Sequence, residues 1–231
     1  MSGKSHLLVN LPESFWVQNN FLVFKDRKEA ATLLAQKVKD QLLFFVSRKV
    51  VVLGIPRGGV VIAREVAKGL KAPFSIVVTK KIGEPGHEEL AIGAMAQDGS
   101  KILDKELIAK LRIDDKSLAR QIAETRTKIK NYRSKFERVS PRLREKIILL
   151  VDDGVATGST VEAAILYLRK KQPARLIVAS PVISKEAYVA IGRLVDKLIV
   201  LCIPDDFHSV SQFYKDFPQV TDEEVMTLLQ K

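Results

Sequence analysis

The stretch at residues 146–165, KIILLVDDGVATGSTVEAAI, constrains the fold of this chain more than any other. Its apolar run Ile147–Val151 is too short for a helix and is typical of a parallel strand buried on both faces. Asp152 and Asp153 follow where such a strand ends, and a glycine-containing loop then leads into a helix start. Because open parallel sheets bind ligands at the carboxyl ends of their strands, this segment predicts a binding site.

The loop after the acidic pair has chemistry suited to a phosphate. Backbone N–H groups of a glycine-rich loop and of a helix N-terminus attract anions, and Thr157, Ser159 and Thr160 add hydroxyl donors. Two adjacent carboxylates cannot bind the same phosphate, so Asp152 and Asp153 suit hydroxyl groups or a hydrated Mg²⁺ beside it. An ordinary strand–loop–helix unit with a solvated Asp pair is the alternative interpretation.

A second glycine-rich turn follows a predicted strand at 50–53 and precedes a predicted helix at 60–70. Gly58 and Gly59 allow the backbone to approach a ligand closely, and Arg57 offers a planar set of donors to phosphate oxygens. Alone, this turn would be interpreted as a surface loop with a solvated arginine. Two anion-suited turns at one edge of a sheet favour a shared binding site.

Both loops resemble those of type I phosphoribosyltransferases. The apolar run, the acidic pair and the loop ending Thr-Gly-x-Thr are similar to that family's phosphoribosyl-diphosphate (PRPP) motif, and Pro-Arg-Gly-Gly resembles its pyrophosphate loop. KKIGEPGHEELAIGAM and the late Asp-Phe-Pro-Gln resemble an uncharacterised subgroup of phosphoribosyltransferase-domain proteins. The resemblance therefore runs from about residue 24 to the C-terminus, and it is specific for the fold but silent on the substrate.

The resemblance implies an α/β fold with a twisted, mainly parallel sheet of about five strands flanked by helices, and a small hood. We expect one domain at 24–231, with a helical insertion at 104–138 and the hood and a last helix at 203–231. Residues 1–23 are left as an arm without an assigned role. Residues 82–90 contain glycine and proline and are expected to form a mobile loop over the site. His87, Glu88 and Glu89 in it match no metal-ligand spacing.

The activity implied by the resemblance is transfer of a phosphoribosyl group from PRPP to a nitrogenous base, with Mg²⁺ as cofactor and release of pyrophosphate. Asp152 and Asp153 would hold the ribose hydroxyls and, through water, the metal. Arg57 and Lys81 would stabilise the leaving pyrophosphate. The residues expected to cradle the 5′-phosphate are Gly154, Val155, Ala156, Thr157, Gly158, Ser159 and Thr160. Further contacts with the diphosphate are expected from Pro56, Gly58, Gly59 and Lys80, with a cis peptide at Pro56–Arg57.

Two departures from the hypoxanthine–guanine enzymes leave the acceptor base unidentified. Ala156 stands where those enzymes carry a third loop Asp, although adenine-type enzymes also have a small residue there. In the hood, Tyr214 stands where their pattern has an Asp that reads the purine. Phe207 follows a Pro-Asp pair and resembles the aromatic residue that stacks on the base, but core packing explains it equally well.

The net charge of +11 favours anionic partners, either nucleic acid or phosphorylated small molecules. Residues 110–146 hold 13 Lys or Arg against 5 Asp or Glu. The helix predicted at 114–137 has apolar residues at alternating spacings of four and three, which suits packing on the domain or on a second subunit in a homodimer. Its basic face is either solvated or a nucleic-acid contact, so a PRPP- or nucleotide-sensing regulator is the second hypothesis. An enzyme that hydrolyses or phosphorolyses nucleotides is the third.

The chain has 231 residues, of which 46% are hydrophobic, and this suffices for a full core. No apolar run reaches the length of a membrane span, and the N-terminus lacks a signal-peptide core, so we expect a cytoplasmic protein without membrane contact. The single cysteine, Cys202, excludes a disulfide framework and a thiolate metal site.

Overall fold

The computed structural model describes residues 17–18, 21–42, 49–136 and 141–230. The strands in chain order are β1 (Val17–Gln18), β2 (Phe21–Leu22), β3 (Val50–Gly54), β4 (Phe74–Ile76), β5 (Thr79–Glu84), β6 (His87–Ala96), β7 (Lys101–Leu103), β8 (Ile147–Val151), β9 (Arg175–Val182) and β10 (Lys197–Cys202). The helices are α1 (Arg27–Gln41), α2 (Gly58–Leu70), α3 (Lys105–Lys110), α4 (Asp115–Ser134), α5 (Ser159–Arg169), α6 (Lys185–Gly192) and α7 (Asp222–Gln230). A 3₁₀ turn at Val210–Phe213 precedes α7.

A parallel sheet with the strand order β10-β9-β8-β3-β4 forms the centre of the fold, which confirms the predicted α/β architecture of about five strands. Every residue of β3 and β8 is buried. These two strands are apolar throughout because helices cover both faces of the sheet. They are direct neighbours, and their last residues, Gly54 and Val151, are register partners. The two loops singled out in the sequence therefore leave the sheet side by side.

The core has a layer on each face of this sheet. Alternate residues of β3 serve the two layers, as the pleat requires: Val50 and Val52 pack with α1 and α2, whereas Val51 and Leu53 pack with α5. None of the helices within the described ranges is long and apolar enough to cross a bilayer.

Two helix starts follow capping patterns that the sequence predicts, Asp26 with Glu29 and Thr221 with Glu224, each pair three residues apart. Asp26 accepts a hydrogen bond from the Glu29 N–H (2.8 Å) and begins α1, whose predicted end near residue 43 lies outside the described residues. Thr221 and Glu224 form the predicted capping box of α7. Most of the predicted arm, residues 1–16 and 19–20, also lies outside the described part; β1 and β2 pair antiparallel within it.

The segment expected to be a mobile loop is instead a β-hairpin, so that prediction was wrong. β5 and β6 pair antiparallel and join through Pro85 and Gly86, and Gly86 has φ +94°. Proline followed by a glycine with positive φ forms a tight turn between strands, and the sequence interpretation took this pair for a break. β7 adds a third strand, which pairs antiparallel with β6. Ile82 and Ile92 are buried beneath α4, which holds the hairpin in place.

The apolar seam of α4 packs on this antiparallel sheet. Ile129 and Tyr132 are buried, and Leu118, Ile122 and Phe136 are partly buried in the same cluster. The helix begins within one residue of its predicted start, with Asp114 as its N-cap, while residue 137, its predicted end, lies outside the described residues. Packing within the domain accounts for the seam without a second subunit.

Replacing Ile129 by alanine should lower the free energy of unfolding by about 2–5 kcal/mol, because the side chain is 3% exposed and leaves a cavity. Replacing Ile122 by alanine should lower the free energy of unfolding by less, because its side chain is only partly buried. Urea denaturation of both variants measures the difference. Equal losses at the two positions would contradict the packing described above.

Candidate active site

The two glycine-rich loops touch through a pair of glycines and a pair of carboxylates. A Cβ atom on Gly58 would overlap the Asp153 carboxylate, and one on Gly59 would lie 2.7 Å from Asp152 Oδ1 and 2.9 Å from Asp152 Cα. The Ile55 N–H also donates to the Val151 carbonyl (3.0 Å). Only residues without a side chain let the acidic pair lie this close to the loop at 54–59. The peptide bond between Pro56 and Arg57 is cis, as expected from the resemblance.

The loop at 154–160 is fixed by hydrogen bonds at Val155 and Ala156, and part of it is exposed to solvent. The Val155 N–H donates to the Val182 carbonyl (2.9 Å), and Ser184 Oγ donates to the Ala156 carbonyl (2.6 Å). Gly158 has φ +83° and occupies the N-cap position of α5, where it supplies no side-chain acceptor to the first N–H groups. Thr157 Oγ1 and Ser159 Oγ lie 3.3 Å apart. Ala156 and Thr157 are exposed, and Ser159 and Thr160 are partly buried.

Arg27 holds the acidic pair, and the sequence interpretation missed it. Its Nε donates to Asp153 Oδ2 (2.8 Å), and the exposed fractions of the two side chains are 10% and 14%. The Asp153 N–H donates to Asp152 Oδ1 (2.9 Å). Arg27 is the first residue of α1, where acidic residues are favoured, and an arginine at that position was the available signal.

Burial sets the protonation of this pair. Burial raises the pKa of Asp152 well above its usual range, and the neighbouring Asp153 charge raises it further. Burial also raises the pKa of Asp153, while the Arg27 guanidinium opposes that rise. A ligand group that donates hydrogen bonds, such as a hydroxyl, matches a pair in this environment.

The C-terminal segment braces Arg27 and Asp153. Arg27 Nη1 donates to the Pro218 carbonyl (2.7 Å), and its guanidinium carbon lies 3.7 Å from the centroid of the Phe217 ring. The Tyr214 hydroxyl donates to the Asp153 carbonyl, and this ring is buried. Tyr214 therefore supports the acidic pair from beneath, which explains a tyrosine at a position where the hypoxanthine–guanine pattern carries an Asp.

The predicted base-stacking residue, Phe207, lies at the edge of the core. It is partly buried, and its ring centroid is 5.1 Å from that of Phe213. Val210 of the same segment fills the space beside Gly154, where a Cβ atom would lie 2.8 Å from Val210 Cγ2. The packing contact is observed, and the stacking role of Phe207 stays a prediction.

A cationic cluster flanks the loop at 54–59. Arg57 Nη1 lies 4.0 Å from Asp222 Oδ1, and Lys135 Nζ lies 2.7 Å from Asp222 Oδ2. Lys80 Nζ lies 4.5 Å from the centroid of the Tyr132 ring. Burial lowers the pKa of Lys80, and the Arg57 charge lowers it further. The structure thus brings Arg57 and Lys80 together.

Lys81 alternates with Lys80 along β5, so its side chain lies on the opposite face of the strand, and it is exposed. In the sequence, His87, Glu88 and Glu89 match no metal-ligand spacing. In the structure His87 is exposed, and Glu88 forms an ion pair with Lys128 (2.9 Å). The side chain of Glu89 lies outside the described part. Within the described ranges, no group of three or more His, Cys, Asp or Glu residues could hold a metal ion.

Residues 24–218 match a protein family described as Phosphoribosyl transferase domain. The chain belongs to this family. This confirms the resemblance inferred from the two loops. A family relative from Mycobacterium tuberculosis, named "Putative phosphoribosyl transferase", is 33% identical over 213 residues. That alignment covers 90% of this chain and 47% of the relative, so the chain spans about half the length of the curated relatives it matches.

A solved structure shares the fold of this chain. The crystal structure of TT1426 from Thermus thermophilus superposes on the chain with a TM-score of 0.73 at 36% sequence identity. It covers 90% of this chain and 98% of its own. The architecture described above is therefore shared with another protein over nearly its whole length.

Proposed function

We propose that this domain transfers a phosphoribosyl group from PRPP to a nitrogenous base, with Mg²⁺ as cofactor and release of pyrophosphate. The observation that carries the proposal is the contact of Gly58 and Gly59 with the acidic pair. It joins two anion-suited loops at one edge of the sheet, above the neighbouring strands β3 and β8. A ligand with a phosphate at one end and a diphosphate at the other fits such an edge.

Each loop then has a part in the reaction. The loop at 154–160 binds the 5′-phosphate through backbone N–H groups and hydroxyls, and the acidic pair orients the ribose hydroxyls. The bond from the anomeric carbon to the diphosphate oxygen breaks, and a bond to a ring nitrogen of the base forms. Negative charge grows on the departing pyrophosphate, and we assign Arg57 and Lys80 to stabilise it. Stabilising that charge is the main catalytic contribution of the protein, and Lys81 stays a further candidate.

The described side chains suit a magnesium ion held mainly by the substrate. Mg²⁺ retains several waters and takes one or two carboxylates together with substrate phosphates. Asp153 accepts a hydrogen bond from Arg27, and Asp152 accepts one from a backbone N–H, so we expect both carboxylates to contact the metal through water. When bound, the metal would neutralise part of the diphosphate charge.

Replacing Arg57 by alanine should depress turnover more than PRPP affinity, because its guanidinium meets charge that grows as pyrophosphate leaves. Steady-state assays of pyrophosphate release measure kcat and KM separately. The matched control is Lys68→Ala, which removes an exposed cation from the other end of the same helix and should change neither constant. A rise in KM with unchanged kcat would contradict the assigned role.

Asp222 places a negative charge beside Arg57 and Lys135, where it competes with an incoming diphosphate. Asp222→Asn should therefore tighten PRPP binding by roughly fivefold, about 1 kcal/mol of removed competition. Isothermal titration calorimetry with PRPP and Mg²⁺ measures this change. Glu223→Gln, an exposed carboxylate one residue along α7, serves as the control and should leave affinity unchanged. Weaker binding by Asp222→Asn would show that the carboxylate supports the site instead.

The proposal as a whole is tested by calorimetry with PRPP and Mg²⁺, followed by a panel of bases assayed for pyrophosphate release. Binding of PRPP together with release for one base supports it. Absence of PRPP binding overturns it. Tight binding without release for any base would favour the PRPP-sensing regulator, the second hypothesis from the sequence.

A further inference from the structure

A cavity of about 420 Å³ lies between α4 and the turn that joins β6 to β7. Its lining from α4 is Arg126, Ile129, Lys130, Arg133 and Ser134. Its lining from the other side is Met95, Ala96, Gln97 and Gly99. Met95, Ala96 and Ile129 are buried and form an apolar floor, whereas the three basic residues are exposed at the opening.

Five basic residues in the C-terminal half of α4 and at its C-cap divide into two rows with different partners. Lys128 and Lys135 lie on one side of the helix and form ion pairs with Glu88 and Asp222. The row of Arg126, Lys130 and Arg133 lies roughly 180° around the helix from them, at spacings of four and three residues. No member of this second row forms an ion pair with any residue that the structure describes.

The unpaired row has an unfavourable electrostatic energy in the free protein. Like charges at these helical spacings repel one another. The nearest acidic residue of the facing turn, Asp98, is already engaged by Ser100 and Lys170. The neutral polar groups are also occupied, since the Gln97 amide donates to Tyr167 and accepts from the Val78 N–H. Three cations around one cavity are thus left for an external anion.

The cavity is separate from the edge that carries the two glycine-rich loops. The hydrogen bond of Gln97 to Tyr167 (3.0 Å) and that of Lys170 to Asp98 (3.1 Å) tie the turn to the last turns of α5. The loop at 154–160 lies at the first turn of the same helix. The eight residue steps from Ser159 to Tyr167 correspond to about 12 Å along the helix axis.

We propose that this cavity is a second ligand site, which takes a phosphorylated small molecule independently of the proposed transferase function. Its phosphates contact Arg126, Lys130 and Arg133, and its less polar part lies against Met95 and Ile129. The row covers seven residue steps, about 10 Å of helix, so its long side chains can converge on one diphosphate group, whereas an extended nucleic-acid backbone would need a longer row. The concave shape and apolar floor also suit an enclosed ligand.

The test is a titration of ¹⁵N-labelled protein with inorganic pyrophosphate and with adenosine 5′-diphosphate, followed by NMR. We expect the amides of Gly99 and of residues 129–134 to shift and saturate. Amides of residues 157–160 report the proposed active site separately. We call the amides of Gly99 and residues 129–134 the first set and those of residues 157–160 the second set. In the triple variant Arg126→Gln/Lys130→Gln/Arg133→Gln, the diphosphate affinity measured from the first set should fall about tenfold or more, while the second set should respond as before.

The matched control removes three other cations from the same helical region, by Lys110→Gln/Lys116→Gln/Arg120→Gln. These side chains are exposed and lie outside the cavity, so both sets of amides should respond normally. The single variant Lys130→Gln guards against misfolding of the triple variant and should weaken the first set alone. The proposal is overturned if the first set does not shift, or if the triple and control variants behave alike. It is also overturned if a single-stranded RNA shifts this set at lower concentration than either diphosphate, with a steep dependence on salt.

Discussion

Replacing Arg27 by methionine should lower the free energy of unfolding by about 3–5 kcal/mol, because the Asp153 carboxylate would stay buried without its partner. Methionine keeps much of the side-chain length and removes the charge together with the donors to Asp153 and the Pro218 carbonyl. Denaturation in urea measures the loss. The control is Lys28→Met, the same type of change one residue along α1 at an exposed position, which should have little effect.

The Arg27→Met loss should also depend on pH. Burial raises the pKa of Asp153 and Arg27 opposes that rise, so the folded variant should hold the Asp153 proton more tightly than the unfolded chain. A group with a raised folded-state pKa loses its stabilising contribution as pH rises through that pKa. The defect should therefore be smallest near the ordinary Asp pKa of about 3.9 and grow toward neutral pH. A loss that is constant with pH would show that packing, and not the unpaired charge, is responsible.

Replacing Gly59 by alanine should separate the two loops and reduce PRPP affinity by about a hundredfold. The new Cβ atom would lie 2.9 Å from both Asp152 Cα and the Val151 carbonyl oxygen, and backbone atoms cannot move aside as a flexible side chain would. Overpacking of this kind also costs stability, about 1–3 kcal/mol. Calorimetry with PRPP and Mg²⁺ and urea denaturation measure the two effects.

Gly69→Ala is the matched control for this substitution, because Gly69 lies in the same helix, α2, and its Cβ atom would first meet Ala35 Cβ at 3.4 Å. That is an ordinary contact, so PRPP affinity should be unchanged. Stability should be unchanged or higher by up to about 1 kcal/mol, since alanine restricts the unfolded chain. If the two variants behaved alike, the interlocking of Gly59 with Asp152 would have no functional importance.

The parallel sheet and the helix starts were predictable because their signals are local. The apolar runs of β3 and β8 and the caps at Asp26 and Thr221 each lie within a few residues of the element they specify. The pairs Gly58–Gly59 and Asp152–Asp153 were also recognisable, because each consists of adjacent residues in the loop after a predicted strand.

The features that were missed depend on contacts between distant parts of the chain. Arg27 meets Asp153 across 126 residues and Pro218 across 191, and no periodicity reports such a pair. Asp222 reaches Lys135 across 87 residues in the same way. The hairpin was missed for a different reason. A Pro-Gly pair is also typical of an irregular loop, and only the packing of Ile82 and Ile92 beneath α4 identifies it as a turn between two strands.

The pairing of β3 with β8 gives the site a fixed length scale. Gly54 and Val151 are register partners on adjacent strands, so the starting points of the two loops are about 4.8 Å apart. Above the strands, Gly58 and Gly59 lie directly against the acidic pair, so we expect the two loops to keep this spacing. Under the proposed function, the protein therefore selects its ligand by the distance between two anionic ends. A PRPP analogue with one extra methylene between the ribose and either phosphate group should be rejected, although its charge and functional groups are unchanged.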